Sequence, residues 1–157
     1  MTDIRIRPFT ETDLDATARV FFDAVRHDTK DHYTGEQRRA WAPDVPATPS
    51  WRARLEGQTV FVAERNGEIV GFMGLTAEGR IDLAFVAPEM IGRGIGKKLY
   101  GEIDAHARAA GLRTLTVHAS RQARGFFERR GWRTLRERTV TRGGVDLTNY
   151  LMEIELA

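Results

Sequence analysis

The sequence predicts a single α/β domain over residues 1–157, with a mixed central β-sheet flanked by helices, antiparallel in its early strands and parallel in the middle. Three observations lead there. Two β-rich runs, Thr59–Arg65 and Glu68–Thr76, are joined by Asn66-Gly67, whose tolerance of positive φ makes it the strongest short-range hairpin signal. A strand, a helix and another strand follow between residues 80 and 118, the order of a parallel crossover. A chain of 157 residues is near the usual size of one domain, with no linker, repeat or low-complexity stretch to divide it.

The elements follow in chain order. Ile4 to Arg7 alternates apolar and polar residues as a first strand. Thr10, with Asp13 three residues later, marks a helix start. Leu14, Ala18, Phe21, Phe22 and Val25 then recur at three- and four-residue steps, predicting a helix to about Arg26 with one apolar stripe. Thr34 and Gln37 repeat the capping pattern before a helix over Arg38–Trp41, which the prolines from Pro43 to Pro49 break; a short helix around Trp51–Leu55 ends near Gly57. Beyond the hairpin, Arg80–Val86 extends the antiparallel sheet. Leu99, Ile103 and Ala107 lie four apart between Gly94 and Gly111, an amphipathic helix with a glycine at its C-terminal end. Strand Arg113–His118 comes next. Ser120 caps a helix that Gly131 terminates, and two last runs, Arg133–Val140 and Val145–Leu156, flank the turn Gly143-Gly144.

Composition narrows the function. No apolar run approaches the roughly 20 residues of a membrane-spanning helix, and the N-terminus lacks the apolar core of a signal peptide. The chain has no cysteine, so disulfides, thiolate metal sites and a thiol nucleophile are all excluded, and cytoplasmic residence is expected. The formal net charge of +2 makes no demand for nucleic acid, and no aromatic-interleaved basic motif supports it. Acidic residues gather early whereas arginine dominates from Arg121 to Arg142, so an anionic ligand suits the later half. His27, Asp28, Asp31 and His32 form the one metal-like cluster, but their spacing fits no defensible ligand pattern, and no metal is expected.

The chemistry concentrates in Ile81–Leu99, where a buried-type strand runs through a proline loop into a glycine-rich helix start. Gly92, Gly94 and Gly96 let backbone approach a ligand, and the helix N-terminus offers unpaired N–H groups to an anion such as a pyrophosphate. Arg93, Lys97 and Lys98 crowd that first turn, where the macrodipole disfavours cations unless a polyanion is bound. A nucleoside-triphosphate P-loop needs a hydroxyl after Gly96-Lys97, where Lys98 stands. A dinucleotide fingerprint starting at Gly92 needs glycine at position 97, where Lys97 stands.

The segment resembles the GNAT superfamily of acyl-CoA N-acyltransferases, whose pattern is Arg or Gln, two residues, then Gly-x-Gly or Gly-x-Ala. Gly94 and Gly96 match the glycines. Ile91 stands where the family usually has Arg or Gln, a contact Arg93 can replace. The hairpin, the proline of Val86-Ala87-Pro88, the strand LTVHAS and the stretch ARGFFERRGW occur in the superfamily's order, over most of the chain after Thr59.

The resemblance implies a fold in which the strand before the glycine loop splays from its parallel neighbour to admit the pantetheine arm. Phe85 and Val86 would contact that arm through the backbone. The loop from Ile91 through Gly92, Arg93, Gly94, Ile95, Gly96 and Lys97 would hold the pyrophosphate, with Phe127 beside the cofactor. Acetyl-CoA is the implied cosubstrate. The implied reaction is direct acetyl transfer, in a ternary complex, to a primary amine of a small molecule or protein. The alternative is a catalytically silent acyl-CoA-binding sensor. Asp82 is the candidate general base, since an amine protonated near pH 7 must lose a proton to attack. The family often places an acidic tyrosine where Phe127 stands, so Ser120, His118 or water protonates the thiolate, or nothing needs to. Ser120 can equally serve as an N-cap. Tyr33, Gln37 and Trp41, four apart on a helix that borders the acceptor pocket in the family, are candidate substrate contacts, with Asn149 and Tyr150 reaching the same cleft. C-terminal strands of this type often pair between subunits, so a homodimer is the expected assembly.

Overall fold

The computed structural model describes residues 3–157 and is built on one seven-stranded sheet in the order β1-β2-β3-β4-β5-β7-β6. The strands are β1 (Ile4–Pro8), β2 (Thr59–Arg65), β3 (Glu68–Leu75), β4 (Arg80–Val86), β5 (Thr114–Ala119), β6 (Arg133–Arg142) and β7 (Val145–Glu155). Every neighbouring pair is antiparallel except β4 and β5. That one parallel step is made by α4 (Ile95–Ala109), which crosses from the end of β4 to the start of β5. The predicted hairpin is present: Asn66 and Gly67 both take positive φ, and Arg65 pairs with Glu68.

Two apolar layers sandwich the sheet. On one face α1 (Leu14–Asp23) and α3 (Thr48–Glu56) bury Leu14, Ala18, Phe21, Trp51 and Leu55 against Val60, Val62, Phe72 and Leu83. On the other, α4 lays its four-residue stripe of Ile95, Leu99, Ile103 and Ala107 on Met73, Leu75, Leu115 and Met152, and α5 (Arg121–Glu128) adds Phe127. Each fully buried side chain of this kind contributes about 1.5–3 kcal/mol, so these two stripes are the main anchors of the helices. No described helix is long and apolar enough to cross a membrane.

The first predicted helix differs in form. Residues 11–13 make a 3-10 turn, α1 ends at Asp23, and Ala24–Asp28 continues as a π-helical turn. Side chains inserting into the backbone ladder explain the widening: Thr29 Oγ1 donates to Val25 O at 2.6 Å and Arg38 Nη1 donates to Arg26 O at 2.6 Å. Arg26 in turn donates to the carbonyls of Ala42 and Pro43, at 2.8 and 3.0 Å, fastening the turn to the end of α2 (Gly35–Trp41). β1 is fastened by Arg7, whose guanidinium donates twice to the buried Asp13 at 2.8 Å and also pairs with Glu64 at 3.1 Å.

Candidate active site

β4 carries the irregularity that shapes the site. Gly74 pairs with Leu83 and Leu75 with Ile81, so Asp82 is the extra residue of a β-bulge. On its other side β4 pairs with β5 only through Arg80–Thr116 and Ile81–Val117, although β4 runs on to Val86 and β5 to Ala119. The strands therefore part after two residues. The N–H of Ala87 donates to Val70 O at 2.8 Å, toward β3. By alternation the backbone groups of Phe85 also face β3, and those of Ala84 and Val86 face the gap. The backbone of Phe85 is directed to β3 rather than to the gap, and its ring packs edge-on against Phe21 with centroids 5.0 Å apart.

A cleft of about 290 Å³ fills this gap and passes from Phe127 and Ala123 on one face to Phe21, Tyr33 and Trp41 on the other. Asp82, His118, Ser120 and Phe85 line it, together with residues not singled out from sequence, among them Arg54, Gln122, Arg138, Val140 and Arg142. Alternation in β6 was the available signal for the last three, since Arg138, Val140 and Arg142 share one face of that strand. A second hollow of about 300 Å³, between α1 and the loop before α3, contains none of the expected site residues.

Asp82 is tightly held. Arg54 Nε and Gln58 Nε2 both donate to its Oδ2 at 2.9 Å, and Arg80 lies 3.8 Å from Oδ1. Burial works against its charged form, but the bonds from Arg54 and Gln58 outweigh it, so the carboxyl titrates below the usual carboxylate range. His118 moves the other way in function. Burial, then the charges of Arg138, Arg80 and Arg136, lower its pKa below the ordinary 6.5 against the opposing pull of Asp82, leaving a neutral imidazole at pH 7. Ser120 caps α5, its Oγ accepting from Ala123 N at 3.3 Å.

The acceptor side is partly as expected. The Tyr33 ring lines the cleft, but its hydroxyl donates to Thr148 O at 2.6 Å and accepts from Arg121 N at 2.9 Å, tying β7 to the start of α5. Trp41 stands beside it at 5.5 Å, and Asn149 lines the opposite wall. Gln37 and Tyr150 are placed elsewhere. Gln37 completes the Thr34 capping box and donates to Asp146 O at 2.9 Å. Tyr150 lies on the α5 face beneath the Arg124 guanidinium at 4.3 Å, because neighbouring residues of a strand point to opposite faces and Asn149 takes the cleft side.

At the far end of the gap the chain forms an anion-ready cradle. Gly92 and Gly94 take φ of 84° and 78°, and a Cβ on either would meet nothing within 4 Å, so the approach is open. The first intrahelical bond of α4 runs from Lys98 N to Gly94 O at 3.1 Å, which leaves the N–H groups of Ile95, Gly96 and Lys97 without a helical acceptor. The side chain of Ile95 is buried in the core, so it can contribute only its N–H. Gly96 also permits close packing, since a Cβ there would lie 3.1 Å from the Phe126 ring. Arg93, Lys97 and Lys98 are exposed around the cradle, and Ile91 is 50% exposed. Among the described residues no group of three or more His, Asp or Glu is placed to hold a metal.

A family model described as an acetyltransferase (GNAT) domain matches residues 29–154. The chain belongs to the GNAT acetyltransferase family. It is 33% identical over 152 residues to the uncharacterized N-acetyltransferase YafP of Escherichia coli K12, covering 97% of this chain and 96% of that one. The crystal structure of a GCN5-related N-acetyltransferase from Rhodopseudomonas palustris superposes with a TM-score of 0.92 at 35% identity, covering 97% and 95%. The fold also matches yncA of Salmonella typhimurium with its cofactor acetyl-CoA, at a TM-score of 0.75, 20% identity and 99% and 95% coverage. As a GNAT enzyme the protein is an acyl-CoA-dependent N-acetyltransferase with acetyl-CoA as cosubstrate. The residues present fit that group: the parted β4 and β5 leave an unpaired edge for an extended arm, and the glycine cradle suits a pyrophosphate.

Proposed function

We propose that the protein moves an acetyl group from acetyl-CoA to a primary amine by direct attack, with both substrates bound, and that residues 1–157 act as one catalytic domain in the cytoplasm. The observation that carries this reading is the opening of the sheet after Ile81–Val117, which leaves the unpaired backbone of Ala84 in one cleft with His118 and Asp82. Acetyl-CoA supplies an activated thioester carbonyl there. The amides of Ile95, Gly96 and Lys97 bind the diphosphate, and an outward N–H of β4 stabilises negative charge developing on the acyl oxygen. His118, neutral at pH 7, accepts the ammonium proton directly or through water, a task for which Asp82 is too weakly basic. Asp82 is retained as the counter-ion that fixes Arg54. No acid is placed at Phe127, and a thiolate of pKa about 8.5 can leave without one.

Thiol release from acetyl-CoA, followed across a broad amine panel, tests the proposal. Saturable release with at least one amine is expected. Binding of acetyl-CoA without release by any amine would leave only an acyl-CoA sensor.

A further inference from the structure

The cleft is cationic beyond what its one acid can neutralise. Three arginines line it, Arg54, Arg138 and Arg142, against Asp82 alone. Arg54 is taken by Asp82 at 2.9 Å. Among the described residues neither Arg138 nor Arg142 has a carboxylate partner; Arg138 is steadied by Asn149 Oδ1 at 3.4 Å. Glu153, which faces the same side of β7 as Asn149, is paired with Arg133 at 3.1 Å and so does not relieve them. Val140 stands between Arg138 and Arg142 on the same face of β6 and pairs with Leu147 of β7, and the aromatic cluster of Phe21, Trp41 and Phe85 lines the same cleft.

An amine with no other charge would meet net positive potential in such a cleft, which opposes its entry as an ammonium. An amine that also carries an oxyanion reverses the sign. We propose that the acceptor is a free amino acid or close analogue with an apolar side chain, its carboxylate held by Arg138 and Arg142 and its side chain laid against the aromatic wall. Arginine suits this because its fork can donate two parallel bonds to a carboxylate. The proposal rests on the acetyltransferase reading above and names the acceptor class of that same site.

The test pairs each apolar amino acid with the amine left when its carboxylate is removed, such as phenylalanine with phenethylamine and leucine with isoamylamine. Turnover is read as kcat/KM for thiol release, and binding by calorimetry on the protein saturated with coenzyme A. The expected result is at least a tenfold preference for the acid in one or more pairs, which Arg138→Gln or Arg142→Gln narrows by raising KM for the acid. Equal or better use of the stripped amines by the wild-type protein overturns the proposal. So does acetyl-CoA binding with neither turnover nor binding of any acid in the set. Absence of acetyl-CoA binding itself would instead remove the transferase reading. Circular dichroism of each variant separates loss of the contact from loss of the fold.

Discussion

A carboxylate that already accepts from Arg54 and Gln58 is a poor proton acceptor, whereas an imidazole kept neutral by burial and by Arg138, Arg80 and Arg136 is a good one. His118→Gln should therefore lower kcat/KM about a hundredfold at pH 7, the lower range for loss of a general base. In the wild-type protein the base form of His118 predominates above its lowered pKa, so activity should fall only as pH drops below the ordinary 6.5, and that limb should vanish in the variant. Asp82→Asn should keep the limb and act on KM. A pH–rate series on the three proteins decides between the two residues. Asp13 makes a different prediction, about stability. Its burial opposes the charge, but the bonds from Arg7 and Thr10 lower its pKa below the usual 3.8. The stabilisation is thus present above about pH 4 and is lost as pH falls through the folded-state value. Asp13→Asn should cost about 3 kcal/mol near pH 7 by urea denaturation, with the difference from wild type shrinking in acid. Of the residues named from sequence, Asp82, His118, Trp41 and Asn149 line the candidate cleft. Gln37 and Tyr150 lie outside its lining, because helical spacing and proximity in sequence do not say which face of the sheet a side chain reaches.

At the scale of elements, β2 and β4 were legible to their end residues and β3 to within one residue, because Asn66-Gly67 sets the turn and alternation sets the strands. The bulge at Asp82 and the parting of β4 from β5 were not readable from local pattern, since an extra residue in a strand depends on its neighbour's register; only family resemblance implied the opening. The start of α4 offers a matched pair of substitutions. Gly94 and Gly111 stand at opposite ends of the same helix with φ of 78° and 77°, and a Cβ on either meets nothing within 4 Å. Alanine at either position should cost about 1–2 kcal/mol in backbone strain, read as equal shifts in the urea midpoint. Only Gly94→Ala should also weaken acetyl-CoA, raising its KM severalfold, because only there does the methyl group stand in the anion's path.

For the whole molecule, a ligand that spans the β4–β5 gap and the α4 cradle bridges both layers of the core and should stabilise the chain as a unit. At a hundredfold excess over Kd the gain is about 2.7 kcal/mol, or roughly 5 to 11 °C in Tm for a domain of this size. Differential scanning fluorimetry with acetyl-CoA, and with free acetate as control, measures it. The sheet has two free margins, β1 and β6, and the second is unusual in holding four arginines, Arg133, Arg136, Arg138 and Arg142, against one glutamate, Glu137. A second copy adding its own β6 there in antiparallel fashion would set guanidinium against guanidinium along the seam. Lateral growth of the sheet is thereby discouraged at low ionic strength, and any self-association by this route should strengthen, not weaken, as added salt shortens the reach of the repulsion.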